Sequence, residues 1–178
     1  MHIFFAILVG FFVVLNNSGE NKINNPQINN IDVLAEIEIE TAKILRVIDG
    51  DTIEVSLSNK KDTVRLIGID APEIVDPRKN VECFGKEASD KAKEILDGKT
   101  IKLESDPTQG DRDKYGRLLR YVFLDGINFN KLMISEGYVH EYTYENNPYE
   151  YMEEFKNAER KAREENKGLW NKSTCKIP

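Results

Sequence analysis

From Ile39 onward the apolar positions alternate with a strand-like period, give way to a helical period, return to strands and end in helices. "TAKILRVIDGDTIEVSL" (Thr41–Leu57) sets branched apolar residues on both sides of Asp49-Gly50, and predicts a hairpin. Asn59 to Asp62 predicts the next turn, and "TVRLIGI" (Thr63–Ile69) a third strand rich in β-branched residues. "PEIVDPRKNVECFG", with two prolines, reads as a long loop. "KEASDKAKEILDGK" predicts a helix with Ala88, Ala92, Ile95 and Leu96 on its apolar face and Gly98 as its stop. "TIKLES" and "RLLRYVFLDG" predict strands four and five on either side of the polar loop "DPTQGDRDKYG". "INFNKLMISEG" predicts a short helix closed by Gly137. Pro148 to Lys167 predicts a longer helix, with Tyr151, Phe155, Ala158 and Ala162 at helical spacing and Glu159–Arg163 as a supporting pair. Three strands, a helix, two strands and two helices make an α+β chain: a small five-stranded barrel of the OB-fold type with three helices.

The ends read differently. Ile3 to Leu15 is an apolar run of 13 residues, shorter than the ~20 a spanning helix needs. Residues 1–19 therefore read as a signal peptide, with an uncleaved N-terminal anchor as the alternative, and the expected location is outside the cell. Residues 20–38, with "NKINNPQINN", read as an Asn-rich, acidic, flexible linker. The domain is expected over residues 39–172, followed by a tail, residues 173–178.

Composition narrows the function classes. The chain has 178 residues, 40% of them hydrophobic and 31% charged, which suits one soluble core, and a net charge of −6. The stretch from Glu20 to Glu40 carries −4 of that charge, so the rest is near balance. This is not the basic surface of a protein that coats nucleic acid, though it allows an enzyme that touches few phosphates at a time. Cys83 and Cys175 are the only cysteines. In an exported chain they are candidates for a disulfide that ties the tail to the body, closing a loop of about 90 residues and contributing about 4–5 kcal/mol in the chain-entropy picture.

The candidate chemistry lies at three places. Asp49 and Asp51 flank the first turn, and Asp70 and Glu73 follow the third strand. They are hard oxygen donors with no His or Cys beside them, so Ca²⁺ or Mg²⁺ is the natural guest. Alone, "DGD" and "DAPE" are also ordinary turn sequences. Arg65 and Arg117 change the weighing, because each presents a planar fork that suits phosphate. Metal, carboxylate base and two guanidiniums form a minimal set for phosphodiester hydrolysis. Other features read plainly: Trp170 as a core anchor for the last helix, Gly68 as a site of close packing, His140 as a surface residue and Lys79 as a solvated loop lysine.

"VIDGDTIEV", "VRLIGIDAPE", "FGKEAS", "DKYGRLLRYVF" and "GLW", in this order and spacing, resemble the staphylococcal nuclease (thermonuclease) family from about Thr41 to Trp170. The resemblance implies an OB-fold barrel and a monomeric, Ca²⁺-dependent endonuclease acting on DNA and RNA with little sugar specificity and leaving 3′-phosphate ends. It implies Asp51, Asp70 and the carbonyl of Ala71 as calcium ligands, with Asp49 close behind them. The best-known member has Thr in place of Ala71, a change to which a carbonyl ligand is indifferent. Glu73 becomes the general base, and Arg65 and Arg117 hold the phosphate. Lys114, Tyr115, Tyr142 and Tyr144 become substrate contacts, with Tyr138 competing for one tyrosine position, because "YVHEYTYENN" is one residue shorter than in the best-known member. The alternative from another class is a non-catalytic nucleic-acid or protein-binding module of the same fold. Such modules typically lose the acids or arginines that are present here. A third reading, Ca²⁺ bound at Asp51 and Asp70 only for folding, gives no reason for both arginines.

Overall fold

The computed structural model describes residues 37–74 and 82–174. The expected signal segment, most of the linker, Lys79 and Cys175 lie outside the described residues. No helix among the described residues is long and apolar enough to cross a membrane.

Two hairpins start the barrel. Strand β1 (Ile39–Val47) pairs antiparallel with β2 (Thr52–Leu57), and Ala42, Ile44 and Val47 point inward against Ile53 and Val55. The register slips between Ile44 and Arg46, a bulge that puts Leu45 outside and bends the strand. The second turn falls earlier than expected. Ser58 and Asn59 take φ of 48° and 63°, which makes a two-residue turn, and β3 (Lys60–Leu66) already begins at Lys60. Lys60 and Lys61 are thus strand residues on the solvent side rather than turn residues.

The third strand also ends sooner than its apolar run suggests. Gly68 takes φ of +76° and redirects the chain, so that Ile69–Asp70 forms a separate short strand, β4. It pairs with β8 (His140–Glu141), placing Asp70 opposite His140. A Cβ on Gly68 would meet the Tyr149 and Phe155 rings at 2.7 and 2.9 Å, in keeping with the close-packing expectation.

Helix α1 (Gly85–Leu96) buries Ala88, Ala92 and Leu96 and stops before Gly98, whose φ is +69°. β5 (Thr100–Glu104) then pairs with β1, and β6 (Leu118–Leu124) pairs with β5. The parallel contact of β6 with β3 closes a five-stranded barrel. A two-residue strand β7 (Ile127–Asn128) leads into α2 (Phe129–Ser135), capped by the Asn128 side chain on the Lys131 amide. Helix α3 (Met152–Glu164) packs Phe155, Ala158 and Ala162 inward.

Trp170 does not enter the core as expected. It is only partly buried, with Arg163 over its ring at 3.9 Å and His140 edge-on at 4.9 Å. The last helix is anchored instead by Phe155, which is fully buried. His140 in turn is a partly buried link, with its Nδ1 3.7 Å from Glu159.

Two buried polar residues fix the parts that carry the site. Asn130 accepts from the Val122 amide and donates to the Ile67 carbonyl, which holds the corner at Gly68. Asp106 accepts from Tyr121 Oη (2.5 Å), the Thr108 amide and hydroxyl (2.8 and 2.7 Å) and the Glu150 amide (2.8 Å). It joins the loop after β5 to the start of α3. Burial alone would push its carboxyl up, but these hydrogen bonds outweigh it and hold the group below the usual carboxylate range. A carboxyl depressed in the folded state stabilises above its unfolded pKa, and the contribution is lost as pH falls through the folded value. Asp106→Ala is therefore expected to cost about 2–4 kcal/mol at pH 7, by leaving buried donors unpaired. The gap from the wild type should narrow below about pH 4, the ordinary range for an Asp carboxyl. Urea melts of both chains at pH 7 and pH 3 measure this; an equal gap at both would contradict the ionised role.

Candidate active site

The first hairpin turn builds the acidic half. Asp49 Oδ1 accepts from the Asp51 amide (3.0 Å), a local turn that aims Asp51 inward. Asp51 is buried, and its Oδ1 accepts from the Thr52 hydroxyl (2.8 Å). Its Oδ2 accepts from the Ala71 amide (2.6 Å) and lies 3.3 Å from an Arg65 terminal nitrogen. The same Arg65 nitrogen donates to Asp70 Oδ1 at 2.9 Å, while the other donates to the Leu66 and Ile69 carbonyls. One guanidinium thus bridges Asp51 and Asp70, and its plane is set by two carbonyls on either side of the bend at Gly68.

The charge there is only partly compensated. Burial, reinforced by the Asp51 carboxylate, pushes the Asp49 carboxyl up to about 7. Asp70 is raised too: the protein on its inner side strips part of its water, and Arg65 pulls against this. Among the described residues no group of three or more His, Cys, Asp or Glu is assembled to hold a metal. The donor chemistry nevertheless fits a hard dication. Two adjoining carboxylates would suit as charged ligands, with main-chain oxygen and water in the remaining positions. Asp70 and the neighbouring Asp49 are both raised, which a cation would relieve.

The second wall is the turn before β6. Asp113 Oδ1 accepts from the amides of Tyr115 and Arg117, both at 2.9 Å, and its Oδ2 accepts from Arg117 Nε at 2.6 Å. Tyr115 is exposed, with Lys114 Nζ and Arg117 Cζ 5.3 and 5.4 Å from its ring centre. The third wall is the segment after β8. Tyr142 and Tyr144 are exposed, their ring centres 6.3 Å apart, and the Tyr142 amide donates to the Gly68 carbonyl.

These three walls enclose a cleft of about 600 Å³. Arg65, Asp70, Lys114, Tyr115, Arg117, Tyr142 and Tyr144 all line it. Asp51 and Ala71 stand behind Arg65 rather than on the wall. Glu73 is not among the lining residues either. Its amide donates to Glu82 Oε2 (3.1 Å) and its carbonyl accepts from the Glu82 amide (2.8 Å), so the turn it sits on is tied to the start of α1. Tyr138 stacks on Phe84 at 5.6 Å, away from the cleft, so the geometry sets Tyr142 and Tyr144 beside the site. Cys83 is disulfide-bonded and lies 3.7 Å from the Thr174 carbonyl, one residue short of Cys175.

Several residues that shape the cleft were not singled out in the sequence. Arg112 lines it while paired in a fork with Asp62 (2.9 and 2.6 Å). Buried Arg120 ties β6 to Asp111 (2.6 Å) and Glu40 (3.4 Å). Buried Tyr149 lines the floor and donates to Glu141. The one signal available for Asp113 is its place at the head of "DKYGR", an acid at a turn start followed by a basic residue.

Residues 63–172 match the family described as "Staphylococcal nuclease homologue". The chain is 38% identical over 159 residues to "Endonuclease YncB" of Bacillus subtilis (strain 168), covering 88% of this chain and 72% of that protein. It is 39% identical over 138 residues to "Thermonuclease" of Staphylococcus hyicus, covering 78% and 80%. It is 33% identical over 167 residues to "Thermonuclease" of Staphylococcus intermedius, covering 94% and 92%.

Proposed function

The chain belongs to the staphylococcal nuclease family, and we propose that it is a calcium-dependent endonuclease that hydrolyses DNA and RNA with little sugar specificity and leaves 3′-phosphate ends. The observation that carries this reading is one cleft that brings together Arg65, Arg117, Asp70 and the exposed rings of Tyr115, Tyr142 and Tyr144. Asp51, Asp70 and the carbonyl of Ala71 would hold the cation, with Asp49 beside them. Bound there, Ca²⁺ supplies a Lewis acid that polarises a phosphoryl oxygen and draws off negative charge.

The remaining work falls to the side chains. Glu73, which stands off the cleft wall three residues after Asp70, would take a proton through a bridging water from the attacking water as that water's oxygen bonds to phosphorus. The P–O5′ bond breaks opposite, and the departing oxygen takes a proton from solvent. Arg65 and Arg117 donate to the phosphoryl oxygens, where charge grows in the transition state, and Arg117 also steadies the leaving oxygen. Lys114 offers a point charge to a neighbouring phosphate. Tyr115, Tyr142 and Tyr144 offer rings on which any base can stack, which supports tolerance of sequence and sugar.

The test is digestion of supercoiled plasmid, single-stranded DNA and RNA in Ca²⁺, with end-group analysis. Internal cuts in all three, with termini that accept ligation or extension only after phosphatase, are expected. Binding without cleavage under every condition would favour a binding module instead. The double substitution Tyr142→Ala, Tyr144→Ala is expected to raise KM by at least about 30-fold and change kcat by less than about threefold, since stacking is worth about 1–3 kcal/mol per base and two rings are lost. Steady-state cleavage of a short single-stranded oligonucleotide checks this; a loss confined to kcat would remove their assigned role.

A further inference from the structure

We propose that Asp113 is the positioning residue for Arg117: it fixes the plane of the guanidinium and leaves one edge open to the phosphate in the cleft. This deepens the nuclease reading and rests on it. The turn from Asp113 to Arg117 is closed by its own backbone, with the Asp113 amide donating to the Arg117 carbonyl (2.9 Å) and the Gly116 amide to the Asp113 carbonyl (3.0 Å). The two carboxylate oxygens then divide the work. Oδ1 accepts from the Tyr115 and Arg117 amides and sets the backbone, while Oδ2 accepts from Arg117 Nε and lies 2.6 Å from Nη2.

A carboxylate on the Nε edge fixes both the direction and the rotation of the planar group. Among the described residues Nη1 makes no hydrogen bond, and Arg117 lines the cleft. Tyr115 limits the plane further, its ring centre 5.4 Å from Cζ. A free arginine side chain would have to be ordered during the reaction; here one oxygen orders it beforehand. Asp113 also sets negative charge beside a site for an anion. A residue placed only for charge would be basic, so the carboxylate is explained by orientation.

Asp113→Asn separates the two halves. The amide oxygen can still accept from both backbone amides, whereas its NH₂ opposes the guanidinium donors. Expected are a kcat lowered by about 10–100-fold, a KM for a single-stranded oligonucleotide within about threefold of the wild type and a thermal midpoint within a few degrees. In an Arg117→Ala background the same change is expected to leave kcat unaltered. Unchanged or raised kcat in Asp113→Asn would overturn the proposal, as would an equal loss in the Arg117→Ala background. If Asp113→Asn does not fold, the wild type suffices. Its Arg117 Nε–H should exchange with water far more slowly than that of an exposed arginine by nitrogen-15 NMR, and exchange at the exposed rate would overturn the proposal. A wild-type chain that cuts no substrate defeats the nuclease reading itself, and is told apart because the Nε–H measurement does not depend on activity.

Discussion

Arg117→Ala is expected to lower kcat by about 10³-fold, about 4 kcal/mol of transition-state stabilisation, with a KM change below about fivefold. The side chain lines the cleft with Asp113 behind it, so its donors are set before substrate arrives. Among the described residues, truncation leaves no other cation in that place. Lys114 on the same turn is exposed and reaches over Tyr115, and Arg112 is committed to Asp62. Arg117→Lys should recover little, because an ammonium cannot hold Asp113 on one edge and phosphate on another. Single-turnover cleavage of an end-labelled oligonucleotide measures the chemical step directly. A loss of less than tenfold would take Arg117 out of the transition state.

Gly68→Ala is expected to have the largest effect on stability, about 3–5 kcal/mol, from overpacking and left-handed backbone strain together. The added carbon would lie 2.7 Å from Tyr149 Cε2 and 2.9 Å from Phe155 Cδ2, and both rings are buried. Gly98→Ala is the internal control. Gly98 has φ of +69°, close to that of Gly68, but nothing stands within 4 Å of its absent Cβ, so backbone strain alone applies and about 1 kcal/mol is expected. Thermal melts should therefore drop by about 10–20 °C for Gly68→Ala and by about 5 °C for Gly98→Ala. Equal shifts would show that packing against α3 does not matter. Activity should fall with stability at Gly68, because its carbonyl receives the Tyr142 amide.

The parts legible in the sequence are those written in period and turn chemistry. The Asp49-Gly50 hairpin, the Ala88–Ala92–Leu96 face and the closing glycines follow from local rules, and the barrel follows from their order. The break at Gly68 was hidden inside an unbroken apolar run, since only the bend toward β8 separates Leu66 from Ile69. Ser58-Asn59 took the turn from the more charged Lys60–Asp62 because two positive φ angles, not charge, close a two-residue hairpin. Trp170 departs from expectation for a different reason. A large apolar ring looks like core, yet this one is held between Arg163 and His140 at the rim.

The site divides in the same way. Arg65, Asp70 and Asp51 were legible together, and one guanidinium does join the two acids. Asp113, Asp106 and Arg120 were not, because a buried or half-buried polar residue has the same letters as a solvated one. Only the fold shows that Asp106 collects four hydrogen bonds. Glu73, a neighbour of Asp70 in sequence, stands on a turn tied to Glu82 rather than on the cleft wall.

Metal-assisted hydrolysis at this cleft requires that cleavage depend on Ca²⁺ and on the acids proposed to hold it. Plasmid and RNA are digested by the metal-stripped chain in EDTA, with Ca²⁺ restored in excess, and by Asp51→Asn and Asp70→Asn under the same conditions. Expected are no cleavage in EDTA, full recovery on adding Ca²⁺ and a right-shifted Ca²⁺ requirement in either variant. Cleavage in EDTA at the Ca²⁺ rate, or a Ca²⁺ requirement unmoved in both variants, would contradict that mechanism.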